Sequence, residues 1–163
     1  MVYYFIGQPG SGKTTLGKKL YNFLKTEKET RNFPFKNWRS YTFHVDGDGL
    51  RELYQNKDYT EEGRRKNITN AQGLIKYLHT NKCNVVVSIV TPYLDLRESF
   101  KKELGCDIVE ILVHTTEKRE RDHYHVKDFE YPESNFIDID TTEDSPELSF
   151  SRILTELIKL DKL

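Results

Sequence analysis

The chain has 163 residues, of which 31% are charged and 36% hydrophobic, and its formal net charge is −1. This composition indicates a globular protein with one hydrophobic core, so we expect residues 1–163 to form a single domain. No apolar run is long enough to cross a bilayer, and the balanced charge gives no general attraction for nucleic acid or for an anionic membrane. Since the chain begins without a recognisable secretory signal, we expect a cytosolic protein.

Strand patterns alternate with helix patterns along the whole chain. Apolar and β-branched runs predict strands over Val2–Ile6, Tyr41–Val45, Asn84–Val90, Ile108–Val113 and Phe136–Ile139. Apolar spacing and capping residues predict helices over Lys13–Lys28, after Thr60, over Leu94–Leu104, from Thr116 to about His123, and after the cap Ser145. Residues Thr30–Ser40 read as a loop that carries Phe33, Phe35 and Trp38. The alternation predicts an α/β fold, with a mainly parallel five-stranded sheet and helices on both faces, of the P-loop kinase type.

In such sheets ligands bind beyond the carboxyl ends of the strands, and the turn after the first strand has the composition of a phosphate-binding loop. Gly7-Gln8-Pro9-Gly10-Ser11-Gly12-Lys13-Thr14 matches the pattern G-x-x-x-x-G-K-[ST] in full. The glycines let backbone N–H groups converge on phosphate oxygens, and the helix that follows adds the partial positive charge of its N-terminus. We therefore predict that this loop binds ATP together with Thr15, that Lys13 reaches the β- and γ-phosphates, and that the Thr14 hydroxyl ligates Mg²⁺.

Two carboxylates follow the second predicted strand, in Asp46-Gly47-Asp48. Residues two apart on an extended backbone point to the same side, so we expect both side chains to face the nucleotide. Beside a phosphate loop they can organise Mg²⁺ and its waters, or accept the proton of an attacking hydroxyl. The predicted strand Asn84–Val90 contains no acidic residue, whereas switch-type NTPases usually carry a metal-organising aspartate on the strand beside the phosphate loop. This difference favours a small-molecule kinase.

Four segments together resemble one family of such kinases. They are the phosphate loop, Asp46-Gly47-Asp48-Gly49-Leu50-Arg51, the stretch from Tyr59 to Ile68, and Ser88-Ile89-Val90-Thr91-Pro92-Tyr93. In order and spacing they are similar to the motifs of the adenylylsulfate kinase family, which transfers the γ-phosphoryl group of MgATP to the 3′-hydroxyl of adenosine 5′-phosphosulfate. The resemblance extends roughly from Val2 to Asp122.

The resemblance implies roles for individual positions. Lys13, Asp46 and Asp48 would be catalytic, with Asp48 accepting the proton of the attacking hydroxyl and Asp46 holding Mg²⁺ beside Thr14. The residues implied to bind the nucleotide acceptor are Asp48, Arg51, Tyr59, Arg64, Asn67, Val90, Thr91 and Lys127. Arg121 would pack on the adenine of ATP. Since members of the family often dimerise, the resemblance also allows a homodimer.

The helix pattern after Thr60 bears on these roles independently. Arg64 and Asn67 lie three residues apart and therefore share a face of the predicted helix, whereas Arg65 is expected to be solvated. A guanidinium group suits an anionic phosphosulfate.

The chain also departs from the family pattern. Gly49 and Leu94 stand where the family has asparagine and arginine, and the segment after the fourth strand is shorter than the family's lid. The acceptor therefore stays open between adenosine 5′-phosphosulfate and another hydroxyl, such as that of a nucleoside, a sugar or a modified polynucleotide base. A non-catalytic ATP-binding module is a further alternative, against which the presence of both Asp46 and Asp48 argues.

Overall fold

A computed structural model describes residues 1–30, 41–118 and 125–163, without the side chains of residues 27–30. Five strands form one sheet: β1 (Val2–Ile6), β2 (Thr42–Asp46), β3 (Asn84–Ser88), β4 (Ile108–His114) and β5 (Phe136–Asp140). Their spatial order is β2-β3-β1-β4-β5, and each neighbouring pair is parallel. The predicted fold class is therefore confirmed. The predicted loop over residues 31–40, with its aromatic group, and Arg121 lie outside the described residues.

The described part of the chain has five α-helices, of which the first four lie between strands and the last follows β5: α1 (Lys13–Thr30), α2 (Gly47–Leu53), α3 (Glu61–Thr80), α4 (Leu94–Leu104) and α5 (Pro146–Lys159). Their ends follow the capping residues that the sequence offers. The Thr60 hydroxyl accepts a hydrogen bond from the backbone N–H of Gly63, and the Ser145 hydroxyl accepts one from Leu148. Within the described part of the chain, no helix is long and apolar enough to span a bilayer.

The sheet is covered on both faces, which explains why its central strands read as continuous apolar runs. On one face α1 and α5 contribute buried Leu16, Leu20, Ile153 and Leu157. On the other face α3 and α4 contribute buried Ala71, Ile75 and Phe100. All five residues of β1 are buried between the two layers. This packing fixes the central strands and brings the carboxyl ends of β1, β2 and β3 to one edge of the sheet.

The helix α2 was not predicted, and its presence corrects the geometry expected for the two carboxylates. Asp46 ends β2 and caps α2, since its side chain accepts hydrogen bonds from the backbone N–H groups of Asp48 and Gly49. Asp48 lies in the first turn of that helix. The two residues are therefore not neighbours along an extended strand. The Asp-Gly-Asp sequence begins a helix because the aspartate cap satisfies its first free N–H groups.

The helix predicted from Thr116 is also wrong in the part that is described. Thr116 and Glu117 form a bend after β4, and residues 119–124 lie outside the described residues. The backbone N–H of Thr116 donates to the Thr142 hydroxyl at 3.0 Å, and that of Glu117 donates to the Thr115 hydroxyl at 3.2 Å. Local hydroxyl groups thus bind the N–H groups and hold the chain in a non-helical turn.

Candidate active site

The phosphate loop Gly7–Thr14 follows β1 and has a conformation that only glycine adopts easily. Gly7, Gly10 and Gly12 have φ angles of 138°, 84° and 102°. A Cβ atom on Gly7 would lie 2.0 Å from the carbonyl oxygen of Val113, so no side chain fits there. From the other side, the Thr141 hydroxyl donates to the carbonyl of Ser11 at 3.1 Å. The loop is therefore supported by β4 and by the end of β5.

Lys13, the first residue of α1, is buried within the loop. Its ammonium group donates to the Gln8 carbonyl at 2.6 Å. The Ser88 hydroxyl, at the end of β3, donates to the Lys13 carbonyl at 3.2 Å. Lys13 is thus fixed by the loop and by the neighbouring strand, with its charge at the helix N-terminus where phosphate binds.

Thr14 and Asp46, which the resemblance assigns to Mg²⁺, lie side by side. The Thr14 hydroxyl donates to Asp46 Oδ1 at 2.9 Å, and Asp46 Oδ2 accepts from the backbone of Asp48 at 3.2 Å. Oxygen donors in this number fit Mg²⁺, which is usually held by one or two protein groups together with substrate phosphates and water. The described residues contain no group of three or more His, Cys, Asp or Glu side chains that could hold a metal without such help. The residues present therefore fit a magnesium ion that arrives with its nucleotide.

A cavity of about 620 Å³ joins the phosphate loop to α2 and α3. It is lined by Pro9, Gly10, Gly12, Lys13, Thr14, Thr15, Asp46, Gly47, Asp48, Arg51, Tyr59, Arg64, Asn67, Ile68, Ser88, Ile89 and Val90. Its volume suits a nucleotide-sized ligand. Most of the residues predicted for ATP, Mg²⁺ and the acceptor are therefore brought to one concave surface.

Arg51, Arg64 and Tyr59 form the cationic part of this wall. The Arg51 guanidinium lies 4.3 Å from the centre of the Tyr59 ring, and that of Arg64 lies 5.7 Å from it. Arg51 also donates to the carbonyls of Asn56 and Asp58, at 3.2 and 2.7 Å. Burial lowers the pKa of Arg51 from its ordinary value, which is the expected response of a cation without a full aqueous shell. Two anchored guanidinium groups on one wall suit an anionic ligand.

Asn67 is almost completely buried on the same wall, with 3% of its surface exposed. Its Oδ1 atom has no hydrogen-bond partner among the residues that the structure describes. A buried acceptor without a donor is unfavourable by about 1–3 kcal/mol, so such an atom is expected to accept a hydrogen bond from water or from a ligand. Arg64 and Asn67 both reach the cavity from α3, as their spacing predicted.

Several residues predicted for the site do not line the cavity. Thr91 is fully buried, and its hydroxyl lies 3.2 Å from the phenol oxygen of Tyr4. Lys127 is exposed and is absent from the lining residues. The side chain of Gln8 binds the backbone of Val126. The roles given to these residues stay predictions.

Comparison with known proteins identifies the family of this chain. Residues 1–146 match the family described as Adenylylsulphate kinase. The chain belongs to the adenylylsulfate kinase family. This membership confirms the predicted enzyme class, a phosphotransferase with an alcohol group as acceptor, and its cofactors ATP and Mg²⁺.

The relatives of this kinase include enzymes that are named for different substrates. The adenylyl-sulfate kinase of Pseudomonas aeruginosa is 27% identical over 96% of the chain and 84% of the relative. The cytidine diphosphoramidate kinase of Campylobacter jejuni is 25% identical over 90% of the chain and 81% of the relative. Among solved structures, the Mycobacterium tuberculosis APS kinase CysC in complex with AMPPNP and APS has a TM-score of 0.74 at 17% identity. That match covers 99% of this chain and 97% of the other, and it shows the shared fold.

Sequence reasoning missed some residues of the kinase's site. Ile68 and Ser88 line the cavity, although neither was assigned a role. A serine at the carboxyl end of the strand beside the phosphate-loop strand was the signal available for Ser88. Arg65, which was expected to be solvated, keeps a partly exposed side chain and also forms ion pairs with Glu61 at 2.8 Å and with Asp95 at 2.9 Å. It thereby ties α3 to the start of α4.

Proposed function

We propose that the chain transfers the γ-phosphoryl group of MgATP to the 3′-hydroxyl of adenosine 5′-phosphosulfate. The main support for the proposal is that the phosphate loop and two anchored guanidinium groups line opposite sides of the same cavity. A donor nucleotide on the loop and an anionic acceptor nucleotide beside α2 and α3 would then share this space. Transfer between two bound groups is catalysed chiefly by positioning and by stabilisation of charge.

On the donor side, the loop amides and Lys13 would bind the phosphates and offset the charge that develops during transfer. Thr14 and Asp46 would hold Mg²⁺, which would supply positive charge that offsets the charge of the phosphates. In the described structure Lys13 donates to the Gln8 carbonyl at 2.6 Å. The ammonium group has three N–H donors, so it can bind phosphate oxygens in addition to this carbonyl.

On the acceptor side, Arg51 and Arg64 would bind the phosphosulfate group, and Asn67 Oδ1 would accept a hydrogen bond from the acceptor nucleotide. The Arg51 guanidinium already covers part of the Tyr59 ring, at 4.3 Å from its centre. An adenine could therefore stack on Tyr59 only where the guanidinium leaves the ring uncovered. Asp48, in the first turn of α2, would accept the proton of the attacking hydroxyl.

A second candidate is the same transfer to a different nucleotide. The relative named cytidine diphosphoramidate kinase matches 90% of the chain, at an identity close to that of the adenylyl-sulfate kinases. The residues that line the acceptor wall are compatible with any anionic nucleotide that can donate a hydrogen bond to Asn67. The homodimer and the cytosolic location stay predictions.

A panel of acceptors with γ-labelled ATP tests the proposal directly. The panel contains adenosine 5′-phosphosulfate, cytidine diphosphoramidate, unmodified nucleosides and a simple sugar. We expect labelled product with adenosine 5′-phosphosulfate, formed with the highest kcat/KM of the panel. Preferential labelling of cytidine diphosphoramidate would replace the first candidate with the second, and labelling of nucleosides or sugars alone would contradict both.

The role of Asp48 needs a separate experiment, because the panel does not identify the base. We expect Asp48→Asn to lower kcat by about 100-fold or more, since general bases contribute roughly 10²–10⁴-fold. Binding of a non-hydrolysable ATP analogue, measured by calorimetry, should change little. The matched control is Glu52→Gln, which removes an exposed carboxylate from the same helix outside the cavity. Equal losses in the two variants would show that the charge of α2, rather than Asp48 itself, matters.

A further inference from the structure

A short strap, residues His125–Glu130, begins at the phosphate loop. The Gln8 side-chain amide binds the Val126 backbone reciprocally: Nε2 donates to the Val126 carbonyl at 2.8 Å, and Oε1 accepts from the Val126 N–H at 2.9 Å. The ring Nε2 of His125 lies 3.1 Å from the carbonyl of Pro9. A paired amide of this kind fixes both the position and the direction of the strap at this end.

The other end of the strap is bound to the segment that follows β3. Arg97 on α4 donates to the carbonyls of Glu130 and Thr91, each at 2.6 Å. The backbone N–H of Glu130 donates to the Pro92 carbonyl at 2.9 Å, and the Glu130 carboxylate accepts from the backbone N–H of Leu94. One guanidinium group therefore joins the strap to the wall of the cavity, because Thr91 directly follows Val90, which lines it.

The Arg97 side chain is completely buried, although its charge would favour water. Glu110 on β4, which is 1% exposed, compensates that charge with an Nε–Oε1 distance of 2.8 Å. Lys101 also binds Glu110, at 2.7 Å, and its other described partners, Glu98 and Ser134, lie outside the strap. The planar guanidinium group binds two carbonyls with its terminal nitrogens while its Nε lies at ion-pair distance from the carboxylate, an arrangement that suits arginine better than lysine.

We infer that Gln8 and Arg97 are positioning residues for phosphoryl transfer, which fix the two ends of the strap and so couple the phosphate loop to the acceptor wall. Pro9 lines the cavity at one end of this connection and Val90 at the other. A contiguous chain of hydrogen bonds between two walls of one cavity can carry energetic coupling between the ligands that these walls bind. The inference rests on the phosphotransferase activity of the family and is independent of which acceptor is used.

A double-mutant cycle tests the coupling with Mg²⁺ and the non-hydrolysable analogue AMPPNP as the probe. Arg97→Lys and Gln8→Ala should each raise the Kd of AMPPNP by about 3- to 10-fold, the range that one or two lost hydrogen bonds produce. The effect of Arg97→Lys distinguishes coupling from direct contact, since the described contacts of Arg97 are with Thr91, Glu110, Phe129 and Glu130, outside the phosphate loop. In the Gln8→Ala background the same Arg97→Lys change should have an effect of less than about 2-fold, because the strap is then already released at its first end.

The matched control is Lys101→Met, which also removes a cation from Glu110 but leaves the strap intact. It should leave the Kd of AMPPNP unchanged in both backgrounds. The inference would be overturned if Lys101→Met and Arg97→Lys raised the Kd of AMPPNP equally. It would also be overturned if Arg97→Lys raised that Kd as much in the Gln8→Ala background as in the wild type. If Arg97→Lys does not fold, Glu130→Ala replaces it in the cycle. The Glu130 side chain is exposed, and it attaches the second end of the strap by accepting from the Leu94 N–H. The same non-additivity with Gln8→Ala is then required.

Discussion

Replacement of Asp46 separates a structural role from a catalytic one within a single side chain. Asp46 Oδ2 caps α2 through the N–H groups of Asp48 and Gly49, at 3.2 and 3.3 Å, while Oδ1 accepts from the Thr14 hydroxyl at 2.9 Å. Loss of a helix cap costs about 1 kcal/mol, and loss of the hydrogen bond to half-buried Thr14 adds a smaller amount. Asp46→Ala should therefore lower the free energy of unfolding by about 1–2 kcal/mol, or the melting temperature by about 3–6 °C.

Asp46→Asn keeps both contacts, because an amide oxygen caps a helix about as well as a carboxylate and the amide N–H can donate to Thr14. Its free energy of unfolding should lie within about 0.5 kcal/mol of the wild type in the absence of Mg²⁺. Both variants nevertheless lose the negative charge beside the proposed Mg²⁺ position. We expect kcat to fall by about 100-fold or more in each, which corresponds to about 3 kcal/mol of transition-state stabilisation.

Two measurements on the same protein preparations check this reasoning. Urea unfolding followed by circular dichroism gives the stability of each variant, and labelled ATP gives the rate of transfer over a range of Mg²⁺ concentrations. Asp46→Asn should need more Mg²⁺ than the wild type for half-maximal rate. If Asp46→Asn is as unstable as Asp46→Ala, the capping argument fails; if it keeps wild-type activity and Mg²⁺ dependence, the metal assignment fails.

Three further predictions concern glycine positions and a buried phenol. Gly7→Ala should destabilise the protein by more than about 2 kcal/mol, because a Cβ atom would lie 2.0 Å from the Val113 carbonyl oxygen and φ is 138°; urea unfolding measures this. Gly73→Ala is the matched control within α3 and should stabilise by about 0.5–1 kcal/mol. Apart from its chain neighbours and the backbone of its own helix, no described atom lies within 4 Å of the added methyl group, and alanine favours helix; destabilisation here would contradict the packing described. Burial raises the pKa of Tyr4 to about 12, so its contribution to stability should be complete below about pH 10 and lost as the pH rises through 12. Between about pH 10 and 12 the free energy of unfolding should therefore fall by about 2–3 kcal/mol less in Tyr4→Phe than in the wild type. Tyr77→Phe, at an exposed tyrosine, is the control. Equal declines in the wild type and Tyr4→Phe would refute the raised pKa of Tyr4.

The parts of the fold that follow from local patterns were predictable. The five strands, the ends of α4 and the capped starts of α3 and α5 agree with the sequence because each depends on residues that are neighbours along the chain. The strand predicted to Val90 ends at Ser88, since Ile89 and Val90 leave the sheet to line the cavity. An apolar residue facing a cavity has the same sequence pattern as one facing the core.

The short helix α2 shows where local patterns were insufficient. Asp46-Gly47-Asp48 occurs in turns as readily as in helix starts, and only the capping contacts of Asp46 distinguish the two. The described geometry changes the relation between Asp46 and Asp48 but keeps both in the cavity. The ion pair of Arg65 with Asp95 could not be predicted from local patterns either, because Asp95 lies on another helix.

The sequence by itself determined the phosphate loop, the strand and helix alternation, and the family. A glycine-rich loop with a lysine at the start of a helix has one dominant use, and its residues are contiguous. The tertiary structure alone decided which residues surround the cavity, that Asn67 Oδ1 is buried without a partner among the described residues, and that Arg97 joins the strap to the acceptor wall. These features depend on segments that are distant along the chain and meet only after the sheet has assembled.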